Sequence, residues 1–290
     1  MMRGKMMSEI FQIENKLVLN EYKKDNYMIE TENNKNTGYV AIYFSSNGLY
    51  FPNEEQEFSK KIIEKNRYEW TRNKIHRADQ HIFIRDLFKQ WYIEGINYHI
   101  NNVDKLFDFL KEQVGNKKVI TIGSSAGGYA AVLFGTLLKA EYILTFAGQF
   151  TLKDQLETSV PLRDPLVFKH QYDMEKNKYY DLSSLISQSN IPVFYFVSND
   201  SMVDKPQVEI ARRFKNIHIF NFDSDVHGIP FYVINLEKLI NMSSEQITRL
   251  CEDYKNKVIN RLSFSIRISG LVDTTKFFLK KVKQKIIRKE

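Results

Sequence analysis

The chain of 290 residues contains a single cysteine, Cys251. That excludes an internal disulfide framework and a cysteine-ligated zinc site. Six prolines and twelve glycines leave no room for a long flexible linker, and neither a repeat nor a long low-complexity tract is present. No apolar run approaches the roughly 18–20 residues that a membrane-spanning helix needs. The opening MMRGKMMSEIFQIENK is charged and lacks the apolar stretch of a secretory signal. A reducing, cytoplasmic setting is therefore expected. Against these absences stand 43% hydrophobic and 13% aromatic residues, enough for a packed core and too many for a wholly disordered chain.

The net charge of +7 is unevenly spread. Eleven Lys/Arg and three acids lie in residues 253–290, so this tail carries +8 and the preceding 252 residues sum to −1. The tail's partner is thus a question separate from the chemistry of the body. Three readings apply to it: a solvated helix, a surface for anionic membrane, or a surface for a polyanion such as acidic polysaccharide. Nothing in the body resembles a nucleic-acid-binding module.

The pattern along the body alternates apolar strands with amphipathic helices. Residues 9–30 read as an antiparallel strand pair. Strands are expected at Tyr39–Phe44, 81–85, 118–122, Tyr142–Phe146, 191–197 and Ile217–Phe222. Helices are expected at 54–65, Val103–Val114, 128–138, 205–214 and 230–241. Such alternation predicts an α/β fold, a mostly parallel sheet with helices on both faces. Residues 149–190 interrupt it as a polar helical insertion placed to overhang the strands' C-terminal ends. The expected organisation is a catalytic domain over 1–241, with 149–190 lid-like, and a basic helical extension over 242–290.

The sharpest motif is Gly123-Ser124-Ser125-Ala126-Gly127-Gly128, directly after KVITI and directly before AGGYAAVLFGTLL. This is Gly-x-Ser-x-Gly in the strand–turn–helix setting of a nucleophile elbow. The serine of such a turn is lifted above the sheet, so its neighbours two before and two after must be small. Gly123 and Gly127 meet that need. The following helix directs its N-terminal amides at the same place, and the Ala126 N–H would face a developing oxyanion. The absence of a lysine after the glycines excludes a P-loop.

A serine hydroxyl needs a base. Of six histidines, His227 in the loop Asp223-Ser224-Asp225-Val226-His227-Gly228 is best placed, following the strand IHIFNF. The base needs an acid to orient it. Asp200 and Asp204 both follow the strand IPVFYFV, and either could instead cap the next helix. Arg85 and Asp86 stand at a strand end, where they either position substrate or form a structural ion pair. Trp91 and Tyr92 either stack on a sugar ring or pack in the core. Ser124, beside the nucleophile, is a further substrate-side candidate. No metal-ligand cluster is apparent, and the chemistry needs none.

On GSSAGG at 123–128, SNDSMV at 198–203 and DSDVHG at 223–228, the stretch from about Tyr39 to Asn241 resembles an α/β-hydrolase, whose chain order is Ser, acid, His. The resemblance implies that the acid lies in an Asp-x-x-Val element, which favours Asp200 over Asp204. It also implies that the loop after the third strand supplies a second oxyanion donor. Here that loop is Ser45-Ser46-Asn47-Gly48 in place of the common His-Gly pair, which makes Ser46 or Asn47 the candidate. The oxyanion loop and the segment Arg85-Asp86…Trp91-Tyr92-Ile93-Glu94-Gly95 further resemble bacterial surface-polysaccharide O-acetyltransferases and esterases. That likeness implies acetyl-CoA as acyl donor, with no cofactor held permanently, and a carbohydrate or small ester as partner. The expected function is acyl transfer through a Ser125 acyl-enzyme, to a sugar hydroxyl or to water. A general small-ester hydrolase is one alternative. A non-catalytic module that docks through its basic tail is the other, and the tail would place either at the inner face of a membrane.

Overall fold

The computed structural model describes residues 9–287. Eight strands form one sheet: β1 (Tyr27–Thr31), β2 (Tyr39–Phe44), β3 (Gln80–Ile84), β4 (Lys118–Ser124), β5 (Tyr142–Phe146), β6 (Val193–Ser198), β7 (Ile217–Phe222) and β8 (Val258–Ile259), in the order β1-β3-β2-β4-β5-β6-β7-β8. Only β1 is antiparallel, to β3; every other pairing is parallel.

The central strands are apolar along almost their whole length because helices cover both faces. Alternate residues of β2 separate cleanly. Val40, Ile42 and Phe44 face a layer containing Leu106 and Leu110 of the Val103–Val114 helix and Ala130 and Phe134 of the Ala126–Leu137 helix. Ala41 and Tyr43 belong to the opposite layer, with Leu239, Ile247 and Phe264 from the C-terminal helices. The parallel connections leave all the strands' C-terminal ends along one edge, which is where an open α/β sheet carries its site.

Residues 9–30 depart from the expected strand pair. Phe11–Glu14 and Lys16–Tyr22 are helical, and only Tyr27–Thr31 is a strand, paired with β3. Two signals explain the difference. Asn15 caps the second helix by accepting from the Leu17 amide at 2.9 Å, and Val18 and Tyr22, four apart, bury one helical face. The elbow helix starts at Ala126, two residues earlier than expected, and residues 230–232 precede rather than begin the helical segment that follows.

The polypeptide beyond 242, expected as a helical extension, contributes a strand to the sheet. β8 pairs with β7, and Phe264 of the Arg261–Ser269 helix is fully buried against Phe222, Phe231 and Tyr254, with ring centroids at 4.9, 5.5 and 5.9 Å. Phe231 belongs to the loop that carries His227. We expect Phe264→Ala to lower unfolding free energy by about 3–5 kcal/mol, the usual cost of truncating a buried phenylalanine. Urea denaturation at neutral pH measures this directly.

Candidate active site

Ser125 sits between β4 and the Ala126–Leu137 helix with φ 53° and ψ −123°, a conformation that L-residues rarely adopt. Its amide donates to Phe146 O at the end of β5 (2.8 Å), and its carbonyl accepts the Tyr129 amide (3.0 Å). The turn is as tight as glycine allows. A Cβ on Gly123 would lie 2.0 Å from Gly127 O, and one on Gly127 would lie 2.4 Å from Phe44 O. Both glycines are there for backbone contact.

His227 Nε2 lies 2.7 Å from Ser125 Oγ, and His227 Nδ1 lies 2.7 Å from Asp204 Oδ1. A carboxylate only accepts, so Nδ1 carries the proton and Nε2 is left to accept from the serine hydroxyl. That is the tautomer a general base requires. The serine is partly accessible, the imidazole about one third exposed, and Asp204 almost wholly buried. Ser198 Oγ fixes the histidine loop from below by donating to Val226 O at 2.6 Å. Other histidines are committed elsewhere: His81 to Tyr43 and Glu32, His170 to Glu94.

The structure brings Asp204, not Asp200, to the histidine. After β6 the backbone continues beside the β7 side, with the Asn199 amide donating to Phe222 O and the Asp200 amide to Ser224 O. Asp200 is held in that extension with its side chain exposed, accepting among the described residues only from Asn199 Nδ2. The polypeptide turns beneath His227 four residues later, where Asp204 precedes the Lys205–Ala211 helix.

The oxyanion side also differs from expectation at one residue. Ser46 N–H donates to Glu69 Oε2 at 2.7 Å and Ser46 Oγ donates to Glu69 Oε1 at 3.3 Å, so the Ser46 amide is already committed. Asn47 lines the cleft with Ser125, and among the described residues its amide has no protein acceptor. The Ala126 amide opens the helix and has no intrahelical acceptor either. These two amides are the available pair. Burial pushes the Glu69 carboxyl up from its ordinary value.

Two cavities meet at Ser46 and Ser124, beside the nucleophile. One, of about 850 Å³, contains Ser125 and His227, with Lys89, Trp91, Gln149 and Asp164 on its walls. The other, of about 840 Å³, is bordered by Trp70, Lys65, Arg67 and Arg72 with Glu69. Of the remaining sequence candidates, Trp91 and Ser124 reach a cavity wall. Trp91 is nevertheless buried, donating from Nε1 to Gln149 Oε1 at 3.1 Å. Tyr92 does not reach the cleft; its hydroxyl donates to Ser45 O (2.9 Å) and holds the oxyanion loop. Arg85 is also withdrawn from substrate, buried over the Tyr68 ring and donating to Asn26 Oδ1 and Asn66 Oδ1 at 2.9 Å each. Nor does Arg85 pair with Asp86. The Asp86 carboxylate instead accepts the amides of Phe88, Gln90 and Tyr92 at 2.7–3.0 Å. Glu69, Lys89 and Asp164 carry no sequence signal, because each lies in an irregular segment without motif or periodicity. The insertion over 149–190 divides: Gln149, Leu162, Arg163 and Asp164 wall the cleft, whereas Leu166, Tyr180, Leu182 and Ile186 are core.

Two outcomes follow from this geometry. Asp204→Asn can present an amide N–H to Nδ1 and select the wrong tautomer. Its Ser125-dependent release of p-nitrophenol from p-nitrophenyl acetate should fall about 10⁴-fold, with Asp200→Asn near wild type. Burial pushes the Lys89 ammonium down to about 8 from an ordinary 10.5. Between those values the unfolded chain holds a proton that the folded chain has released, so stability rises with pH across the window. Lys89→Met should abolish that rise in urea titrations made below and above it.

No protein-family model matches the chain, and no curated protein matches it in sequence. Solved structures do match. The capsule O-acetyltransferase of Neisseria meningitidis serogroup A, in complex with caged gadolinium, is 14% identical with a TM-score of 0.50; the match covers 78% of this chain and 90% of that one. Est1E from Butyrivibrio proteoclasticus, with ferulic acid bound, is 11% identical at TM-score 0.50, over 77% of this chain and 94% of that one. MGS-MChE2, an α/β-hydrolase enzyme from the metagenome of lagoon sediments of Mar Chica, Morocco, is 13% identical at TM-score 0.44, over 80% and 96%. Identities this low speak for architecture, since one fold hosts many activities. With its parallel sheet, its strand–serine–helix elbow and the two neighbours at TM-score 0.50, the chain has the α/β-hydrolase fold.

Proposed function

We propose that the protein is a serine acyltransferase that moves an acetyl group from acetyl-CoA, through Ser125, to a hydroxyl of a bacterial surface carbohydrate. The observation that carries the reading is the unbroken line Ser125 Oγ, His227 Nε2, His227 Nδ1, Asp204 Oδ1, with both spacings 2.7 Å. Ser125 Oγ attacks the thioester carbonyl and passes its proton to His227. The Ala126 and Asn47 amides receive the oxyanion. Collapse breaks the carbon–sulfur bond, and His227 returns the proton to the departing thiolate. The acceptor hydroxyl then gives its proton to His227 as its oxygen attacks the acetyl-serine. Ser125 recovers the proton when it is expelled.

Transfer between two substrates is favoured by the paired cavities flanking Ser124. The Trp70 cavity has three cations against one carboxylate on its border, which suits the phosphates of a CoA donor. The Ser125 cavity suits a polyhydroxyl acceptor. Asp164 lines it and is buried, with Oδ2 lacking a protein partner among the described residues. A carboxylate in that state is suited to accept from sugar hydroxyls. If water replaces the sugar, the same residues give an O-acetyl esterase. A non-catalytic docking module is disfavoured, because its serine, base and acid would have no reason to remain in hydrogen-bond register.

Intact-protein mass after incubation with acetyl-CoA tests the proposal. Wild type should gain one acetyl group and lose it when an oligosaccharide acceptor is added, while Ser125→Ala gains none. Rapid Ser125-dependent turnover of p-nitrophenyl acetate without any adduct from acetyl-CoA would leave the esterase reading in its place. No Ser125-dependent chemistry with either donor would overturn both.

A further inference from the structure

The helices Arg261–Ser269 and Leu271–Ile287 form a hairpin about Gly270, whose φ is +85°. Its inner side is well anchored. Ser265 Oγ and Ser269 Oγ donate to Asn235 Oδ1 at 3.3 and 2.8 Å, Tyr232 packs on Phe278 with centroids 4.9 Å apart, and Asp273 faces Lys238 of the body at 3.3 Å. Among the described residues nothing covers its outer side. Leu262, Ile266, Leu271, Val272, Leu279 and Val282 are 46, 38, 64, 63, 58 and 55% exposed. Most of them border one shallow groove of about 330 Å³ whose only polar residues are threonines.

These residues form a stripe rather than a scatter. At 100° per residue, Leu271, Thr275, Phe278, Leu279 and Val282 share one side of the second helix. Lys276, Lys280 and Lys283 run along one border of that side. Lys281 lies on the other, with its ammonium 4.6 Å from the Phe277 ring centroid. Leu271–Ile287 contains five lysines and one acid, Asp273, and that acid is turned to Lys238.

We propose that this face docks on an anionic lipid bilayer. Leu271, Val272, Leu279 and Val282 would enter the boundary between headgroups and acyl chains, with the lysines in the headgroup plane. No helix among the described residues is long and apolar enough to cross a membrane, so the mode is lying on the surface, not spanning it. A second copy of the chain is a poor occupant, because apposing two such stripes presses lysine borders of one sign together. A polysaccharide or other purely polar polyanion would satisfy the lysines and leave the exposed leucines and valines in water. Only a surface that is apolar inside and negative outside matches both. The Leu262 end of the stripe adjoins Arg261, whose amide donates to Asp223 Oδ1 (2.9 Å) at the end of β7, four residues before His227. The docking face therefore reaches the sheet edge that carries Ser125. The inference rests on the hairpin alone and is independent of the acyl-transfer reading.

Co-sedimentation of the full chain with vesicles tests it. Vesicles of phosphatidylcholine mixed with phosphatidylglycerol should carry the protein down, and phosphatidylcholine alone should not. Raising salt should release it. Each lysine is worth about fivefold in partitioning near anionic lipid, so Lys276→Gln, Lys280→Gln and Lys283→Gln together should weaken binding about 100-fold. Leu279→Glu with Val282→Glu should weaken it by more than tenfold while leaving the thermal melt at the wild-type midpoint. A Val282→Cys variant carrying a polarity-sensitive fluorophore gives a second reading that removes no charge, with buried Cys251 as the quiet background. Its emission should shift to the blue only with anionic vesicles. Equal sedimentation with both lipids, binding undiminished in the glutamate variant, or an unshifted fluorophore would overturn the proposal. So would a dimer in sedimentation equilibrium that the glutamate variant abolishes in the absence of vesicle binding, because the face would then belong to a second copy.

Discussion

The site depends on a contact between backbones. The first turn of the elbow helix lies so close to the ends of β2 and β4 that neither Gly123 nor Gly127 has room for a single methyl group. This approach determines three things together. It forces Ser125 into a left-handed conformation and so lifts its hydroxyl off the sheet. It brings the helix's free amides to the same point. It also seats the Ser45–Gly48 loop, which leaves β2 at Phe44, alongside the serine. The proposed nucleophile and oxyanion donors are thus consequences of one packing distance rather than separately placed parts.

Around that point the fold keeps several polar groups out of water. Asp204 is buried with Oδ2 unpartnered, and the neighbouring Tyr195 and Ser201 hydroxyls are also buried without partners among the described residues. Burial pushes the Asp86 carboxyl up to about 6 and Lys89 down to about 8. Such groups are costly in a core and accumulate where function constrains the residue type.

Apart from the two-residue β8, the sheet was legible because its parallel strands are short apolar runs, separated by helices that are amphipathic, as Val103–Val114 is, or apolar throughout, as the elbow helix is. Ser125 was legible from the elbow, since sterics limit which residues can surround it. His227 followed from its position after a strand at the same edge. Which aspartate meets His227 was not legible. Asp200 and Asp204 both stand in the loop after β6, and the choice turns on how far the backbone continues alongside β7 before it turns, which no local pattern encodes. The N-terminal helices were misread because IFQIENKLVL suits either period, and Asn15 as a cap decides between them. Glu69 and Lys89 lie in irregular segments where only the tertiary path determines what a side chain meets.

The segment from Asp86 to Tyr92 has a further meaning. One carboxylate collects three amides of this loop, and Lys89, Trp91 and Tyr92 hold positive φ within it. The cleft wall thereby takes its contour from a residue that lines neither cavity. Contour and chemistry can then diverge independently in evolution. Side chains presented by the wall can be exchanged among those that tolerate the left-handed backbone, and the scaffold beneath them need not be rebuilt. A lineage carrying this loop could change the molecule it accepts by substitution alone, with no insertion or deletion near the site.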